Sequence, residues 1–209
     1  MALGDPYVTL DELKTYLKNA KLAPGVSNSD LDPILNSAIQ AASDEIETYC
    51  GRQFNKETLA TAREYTPLSC WTVLVDDFWT TDGLIVQTDD GSGTYSTTLT
   101  SSEYFLEPKN GVVNGQSGWP YCRIVLRPLS GRLFFRTDYS VRVTAKWGWN
   151  AVPDSVKTAC YLMSHDNFKL KDTPFGVAGQ TEFGVIRVRN NPMIEAKLKR
   201  FRRFKMLGG

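Results

Sequence analysis

Residues 141–159 read VRVTAKWGWNAVPDSVKTA. Val141, Val143 and Ala145 alternate with Arg142, Thr144 and Lys146, the period of two that a half-buried strand requires. Trp147, Gly148 and Trp149 follow, and Pro153-Asp154 then opens a helical pattern: proline presets φ for a first helical position and holds Val152 extended. A sheet therefore hands over to a helix here. Gly148 allows a backbone turn that a side chain would obstruct. Trp147 and Trp149 are placed to pack on either side of it, one on the sheet and one toward the helices. Trp147, Gly148, Trp149 and Pro153 are read as a structural joint that fixes the angle between the two parts.

On the N-terminal side of this joint the chain is β-rich back to about Arg63. The runs WTVLV, LIVQT, TYSTTL, EYFL, RIVLR, RLFF and YSVRVTA are short, with β-branched and aromatic residues enriched. DDGSG, PKNGVVNGQSGWP and PLSG lie between them and carry turn chemistry. About seven mostly antiparallel strands follow, with DDGSG as a hairpin tip and the loop around Trp119 exposed.

Helical patterns flank this region on both sides. Thr9 and Glu12 form a capping box, with Val8 and Leu13 at the staple positions. Leu10, Leu13 and Leu17 make the apolar face of that helix, which stops before Pro24-Gly25. A longer helix follows, capped by Ser29 or Asp32, with Pro33 in its first turn. Leu31, Leu35, Ala38, Ala42 and Tyr49 share its stripe, with Ile46 beside it. Cys50-Gly51 ends it, glycine taking the left-handed position. After the joint, Val156, Ala159, Cys160, Met163 and Phe168 make one face of a third helix. Asn191-Pro192 starts a fourth, expected to run from Met193 to about Leu207, roughly 20 Å at 1.5 Å per residue, burying Ile194, Leu198 and Phe201. The fold class is α+β: a small bundle of about four helices, residues 1–60 and 150–209, with an antiparallel β domain inserted at 61–149.

The 209 residues are 42% hydrophobic and 22% charged, an ordinary globular composition that excludes a disordered tail or a fibre. No apolar run approaches the roughly 20 residues of a membrane span. The N-terminus lacks the basic and apolar regions of a signal peptide, so synthesis in the cytoplasm is expected. The net charge of +1 hides an asymmetry. Residues 1–50 hold eight acids and three bases, net −5, and residues 187–209 hold eight bases and one acid, net +7. Opposite ends of such a chain can meet copies of itself or two different neighbours.

Specific chemistry is not written in this sequence. Ser164-His165-Asp166 are consecutive on a helix and point about 100° apart, so they do not converge as a triad must. Asp76-Asp77 and Asp89-Asp90 read as solvated turn residues. Gly176, Gly179 and Gly184 fit neither a dinucleotide fingerprint nor a phosphate loop. Cys50, Cys70, Cys122 and Cys160 are widely spaced and read as free thiols, and His165 is the single histidine. No catalytic residue, cofactor site or metal site is assigned. The tryptophans at 71, 79, 119, 147 and 149 allow a glycan- or protein-binding β module as an alternative. The basic tail with interleaved aromatics allows nucleic-acid contact, without a base-reading module to support sequence specificity.

The order of the pieces resembles a known family. YVTLDELKTYL, LDPILNSAIQAASDEIETYCGRQF, WGWNAVPDSVKTACYLM and a short basic C-terminal helix are similar to the head-to-tail connector (adaptor) proteins of tailed bacteriophages. The resemblance covers both helical ends; the β insertion matches in kind, not by motif. It implies a non-enzymatic virion protein of the neck, made in the host bacterial cytoplasm. It implies a ring, expected twelvefold, that extends the DNA channel between the portal protein and a stopper or tail-completion protein. Genomic DNA would pass without sequence-specific binding, and no membrane is involved. The C-terminal segment would dock on the portal, through Arg187, Arg189, Lys197, Lys199, Arg200, Phe201, Arg202, Arg203, Phe204 and Lys205. Asp44, Glu45 and Glu47 of the second helix would make ring or channel contacts. Deletion of residues 193–209 is expected to leave a folded protein that cannot attach.

Overall fold

A computed structural model describes residues 4–19, 29–89, 93–170 and 192–203. The chain divides into two compact units, a helical one formed by Leu3–Phe54 with Val152–Lys205 and a β one formed by Asn55–Ala151. The α+β class expected from the sequence holds, with four α-helices and one antiparallel sheet among the described residues.

In the helical unit, α1 (Leu10–Asn19) opens on the expected capping box. The Thr9 N–H donates to Glu12 Oε2 at 2.8 Å and the Glu12 N–H donates to Thr9 Oγ1 at 3.2 Å. Val8, Leu13 and Leu17 are buried. The second helix, α2 (Asp32–Cys50), follows a 3₁₀ turn at Ser29–Leu31. Neither Ser29 nor Asp32 caps it: the cap is Leu31, with no side-chain hydrogen bond. The Asp32 carboxylate is held instead by Lys14 at 2.5 Å. The buried stripe of α2 is Leu35, Ala38, Ile39, Ala42, Ile46 and Cys50, with Tyr49 on its flank. Gly51 takes the left-handed conformation (φ 62°) and its N–H closes on the Glu47 carbonyl at 2.7 Å.

Against this stripe packs α3 (Asp154–Leu170), through Val156, Ala159, Cys160 and Met163. Full burial of each large apolar side chain is worth about 1.5–3 kcal/mol. The Pro153 carbonyl accepts from Val156 and Lys157 at the head of α3. The last helix, α4 (Pro192–Leu198), is shorter than the sequence pattern suggests. One 3₁₀ turn, Lys199–Phe201, ends it, and Arg202 is extended. The reason is tertiary: the Arg203 N–H donates to the Cys50 carbonyl at 2.7 Å, so the chain leaves its own helix to satisfy the end of α2. Residues 204–207, expected to be helical, lie outside the described residues.

The β unit is one sheet of six strands. These are β1 (Thr61–Tyr65), β2 (Thr72–Thr88), β3 (Thr97–Leu99), β4 (Tyr104–Glu107), β5 (Tyr121–Leu126) and β6 (Val141–Trp147). The order is β1-β6-β2-β5-β4, with β3 pairing the end of β2. WTVLV and LIVQT are therefore one long strand, interrupted by register shifts between Leu74 and Phe78, Phe78 and Thr80, and Thr80 and Ile85. Such bulges bend and twist a strand so that it can serve several partners: β2 pairs β5 early, β6 through its second half and β3 at its end. TAREY supplies a strand that the sequence pattern did not single out. RLFF does not join the sheet; its Phe134 N–H donates to the Cys70 carbonyl at 2.8 Å.

Candidate functional site

Around Trp147-Gly148-Trp149 two chain segments cross within the β unit. The Trp149 N–H donates to the Asn55 carbonyl at 2.9 Å, and the Glu57 N–H donates to the Trp147 carbonyl at 2.8 Å. Between them Gly148 sits at φ +93°, and a Cβ there would lie 1.8 Å from the Asn55 carbonyl oxygen. No side chain fits. The Gly148 N–H reaches the Asp77 carbonyl at 2.6 Å. Both indoles are buried and both N–H groups are spoken for, Trp147 donating to the Thr61 carbonyl at 3.0 Å and Trp149 to the Asp77 carboxylate at 2.9 Å. Asp77 is thus a buried strand residue, not the solvated turn residue expected. Its neighbour Asp76 accepts from Arg63 at 2.8 Å and from the Tyr65 hydroxyl at 3.1 Å.

The remaining tryptophans divide by exposure. Trp119, expected to stand free in its loop, is half-buried with its ring 5.1 Å from that of Trp149. Trp79 donates to the Glu57 carbonyl at 3.0 Å, with the Lys56 ammonium 5.0 Å from its ring. Trp71 is exposed.

The three acids of α2 have different surroundings. Glu47 is engaged inward: it accepts from the Tyr7 hydroxyl at 2.8 Å and from Gln53 at 3.3 Å. The same hydroxyl accepts the Phe54 N–H at 3.2 Å, so one phenol ties the N-terminal segment to both α2 and the chain leaving it. Burial raises the Tyr7 pKa far above the ordinary tyrosine value, and the Glu47 carboxylate adds to that. Asp44 is exposed and accepts from Gln40 at 2.8 Å, while Glu45 is half-buried.

Among the described basic C-terminal residues, Lys197 lies in α4, Lys199 and Arg200 in the 3₁₀ turn, and Arg202 is extended. Phe201 belongs to the core of the helical unit, its ring edge-on to Phe54 at 5.5 Å. It anchors the turn instead of being offered to a partner. Lys199, Arg200 and Arg202 are exposed, and Lys197 and Arg203 are half-buried. Arg200 donates to Ser155 at 2.9 Å, and the Arg202 guanidinium lies 5.8 Å from the Tyr49 ring. Arg187, Arg189, Phe204 and Lys205 lie outside the described residues, as do Asp90 and the glycines at 176, 179 and 184.

Catalytic convergence is not found at the Ser-His-Asp run. Ser164 lies 3.9 Å from the Cys160 sulfur, and His165 is paired with its neighbour Asp166 at 3.2 Å. Among the described residues no group of three or more His, Cys, Asp or Glu could hold a metal ion. No described helix is long and apolar enough to cross a membrane. No disulfide joins the four cysteines.

What these units present is surfaces on an α+β scaffold. Residues 11–73 match the family model described as phage gp6-like head-tail connector protein. Over that stretch the resemblance to the phage head-to-tail connector family is borne out. The fold is similar, along almost the whole chain, to chains in solved gene transfer agent particles. A chain in the neck of the empty particle, computed with C6 symmetry, has a TM-score of 0.56 at 19% identity, covering 97% of this chain and 93% of that one. A chain in the virion of the native particle has a TM-score of 0.56 at 19% identity, covering 100% and 95%. A chain in the neck of the native particle, computed with C12 symmetry, gives 0.50 at 19% identity, covering 100% and 99%. No curated protein matches by sequence.

Proposed function

We propose that this protein is a structural, non-enzymatic component of a phage-type neck, acting as a ring between the portal and the next neck or tail-completion protein. The observation that carries the reading is the connector family match over residues 11–73, set within a fold that covers nearly all of a gene transfer agent neck chain. The ring is twelvefold, a number supported by the C12 symmetry of the native neck. In this role the protein sits at the head-tail junction of the virion and extends the DNA channel, with no sequence-specific contact to the passing genome.

Portal docking falls to the basic turn. Lys199, Arg200 and Arg202 are exposed while Phe201 holds the turn on the core beneath. Charge on a well-placed surface steers and orders association. Deleting residues 193–209 is a poor test, because it also removes buried Ile194, Leu198 and Phe201. The triple reversal Lys199→Glu, Arg200→Glu, Arg202→Glu spares the core. It is expected to keep the native circular dichroism and melting temperature while losing attachment to filled heads. Normal attachment by the triple variant would end the portal-docking assignment.

A further inference from the structure

The β unit ends in an apolar surface that its own fold does not cover. Twelve large hydrophobic residues are exposed among the described ones, and six of them lie in two short segments, 68–71 and 129–139. Leu129 is 100% exposed, Leu133 53%, Phe135 49% and Tyr139 63%, while Phe134 between them is 2% exposed. RLFF thus alternates like a strand, with one aromatic turned in and two apolar side chains turned out. Leu68 and Trp71 complete the set, because the two segments are clipped together. The Phe134 N–H reaches the Cys70 carbonyl at 2.8 Å, and the Tyr139 N–H reaches Thr66 Oγ1 at 3.1 Å. An exposed apolar patch of this kind marks a contact surface rather than ordinary solvent-facing protein.

The surface is also prebuilt. Leu129 rides on a 3₁₀ turn, Pro128–Ser130. The Ser130 hydroxyl donates to the Arg127 carbonyl at 2.7 Å, and the Arg127 N–H donates to the Glu103 carbonyl at 2.8 Å. Arg132 reaches the Glu103 carboxylate at 2.8 Å. A contact that is already ordered loses little entropy on binding.

Charge selects the occupant. Arg63, Arg123, Arg132, Arg142 and Lys146 of the β unit are matched to carboxylates. Arg127 and Arg136, both exposed beside the apolar patch, have no acidic partner among the described residues; Arg127 lies over the Phe105 ring at 4.0 Å. The helical unit has the complement. On α2, Ile34, Ser37, Ala41, Asp44 and Thr48 are all exposed and recur at helical spacing on one outward face. Asp44 on this face and Glu45 beside it meet no cation among the described residues. The face offers an isoleucine, small residues that leave room, and carboxylates.

We infer that the apolar, arginine-flanked end of the β unit, Leu68–Trp71 with Leu129–Tyr139, docks on the outward face of α2 in a second copy of this chain. Two different patches meet, so the contact is heterologous and propagates around a ring. The inference rests on the ring reading above. It assigns Asp44 and Glu45 to the contact between copies rather than to the channel wall, and leaves Glu47 to hold Tyr7.

Particles carrying Leu129→Cys and Ala41→Cys together, with the half-buried Cys70 and Cys122 changed to serine in every variant, test it when treated with a short bismaleimide. The expected product is a ladder of multimers of this chain, with each single variant and the unaltered protein at background. Absence of the ladder in particles that contain the protein at the neck would overturn the contact and leave the ring reading intact. Cross-linking of Leu129→Cys to a different neck protein would overturn it as well. Absence of the protein from the neck would instead refute the ring reading. A charge swap gives an independent readout: Arg136→Glu should lower incorporation into particles at least tenfold, and Asp44→Lys in the same chain should restore it. No loss with the first change, or no recovery with the second, contradicts the inference.

Discussion

The helical unit and the β unit differ in how far they close on themselves. Among the described residues the helical unit exposes two large hydrophobics, Ile34 and Met193, and the β unit exposes ten. The helical core is sealed by specific devices: a capping box at α1, the Tyr7 hydroxyl bridging Phe54 and Glu47, and Arg203 capping the end of α2. The β unit is held at its crossing strands and left apolar at its far end. The contrast is one of closure: the helical unit buries nearly all its large apolar side chains, and the β unit leaves a cluster of them in solvent.

Four substitutions or conditions probe that contrast, in descending size. Gly148→Ala forces a Cβ into the Asn55 carbonyl at a positive φ, which strain and overpacking make worth about 3–5 kcal/mol. The β unit should fail to close, read as loss of near-ultraviolet circular dichroism from its tryptophans; a variant with a native spectrum would contradict the tight crossing at Gly148. Trp149→Phe removes the indole donor to buried Asp77 and should cost about 2 kcal/mol in chemical denaturation. Tyr7→Phe takes away the hydroxyl between Phe54 and Glu47, at about 1–2 kcal/mol, and should act on the helical unit. Amide hydrogen exchange that quickens at α1 and α2 and not in the sheet would sharpen the comparison.

The smallest effect is alkaline. Burial pushes the Cys50 thiol up to about 12 and Cys160 to about 11, from an ordinary 9.0. A raised folded value favours the protonated thiol, so its contribution is complete below pH 9 and fades as pH climbs toward 11–12. Stability of the helical unit should fall over that window, and less so in Cys160→Ala. An identical alkaline limb in both proteins would remove the thiol from the explanation.

Local signals explain what could be read from the sequence. Thr9 and Glu12, Gly51 after Cys50, and the apolar spacing of α2 and α3 act within a few residues, and the structure keeps them. The glycine between two tryptophans was likewise visible as a backbone necessity. What could not be read depends on distant partners. Asp76-Asp77 imitates a turn, yet Asp77 stands mid-strand because Trp149 requires a buried acceptor. The basic C-terminal run imitates a longer helix, yet it stops where Cys50 claims the Arg203 N–H. RLFF has the rhythm of a strand but faces outward for a different reason, since its unpaired side is a surface.

A reconstruction of intact, genome-filled particles at a resolution that resolves side chains tests the central claim most directly. The account predicts density for this chain as a twelvefold ring between portal and tail, with its basic turn toward the portal. Density in the capsid shell or at the tail tip, and none at the neck, would contradict it.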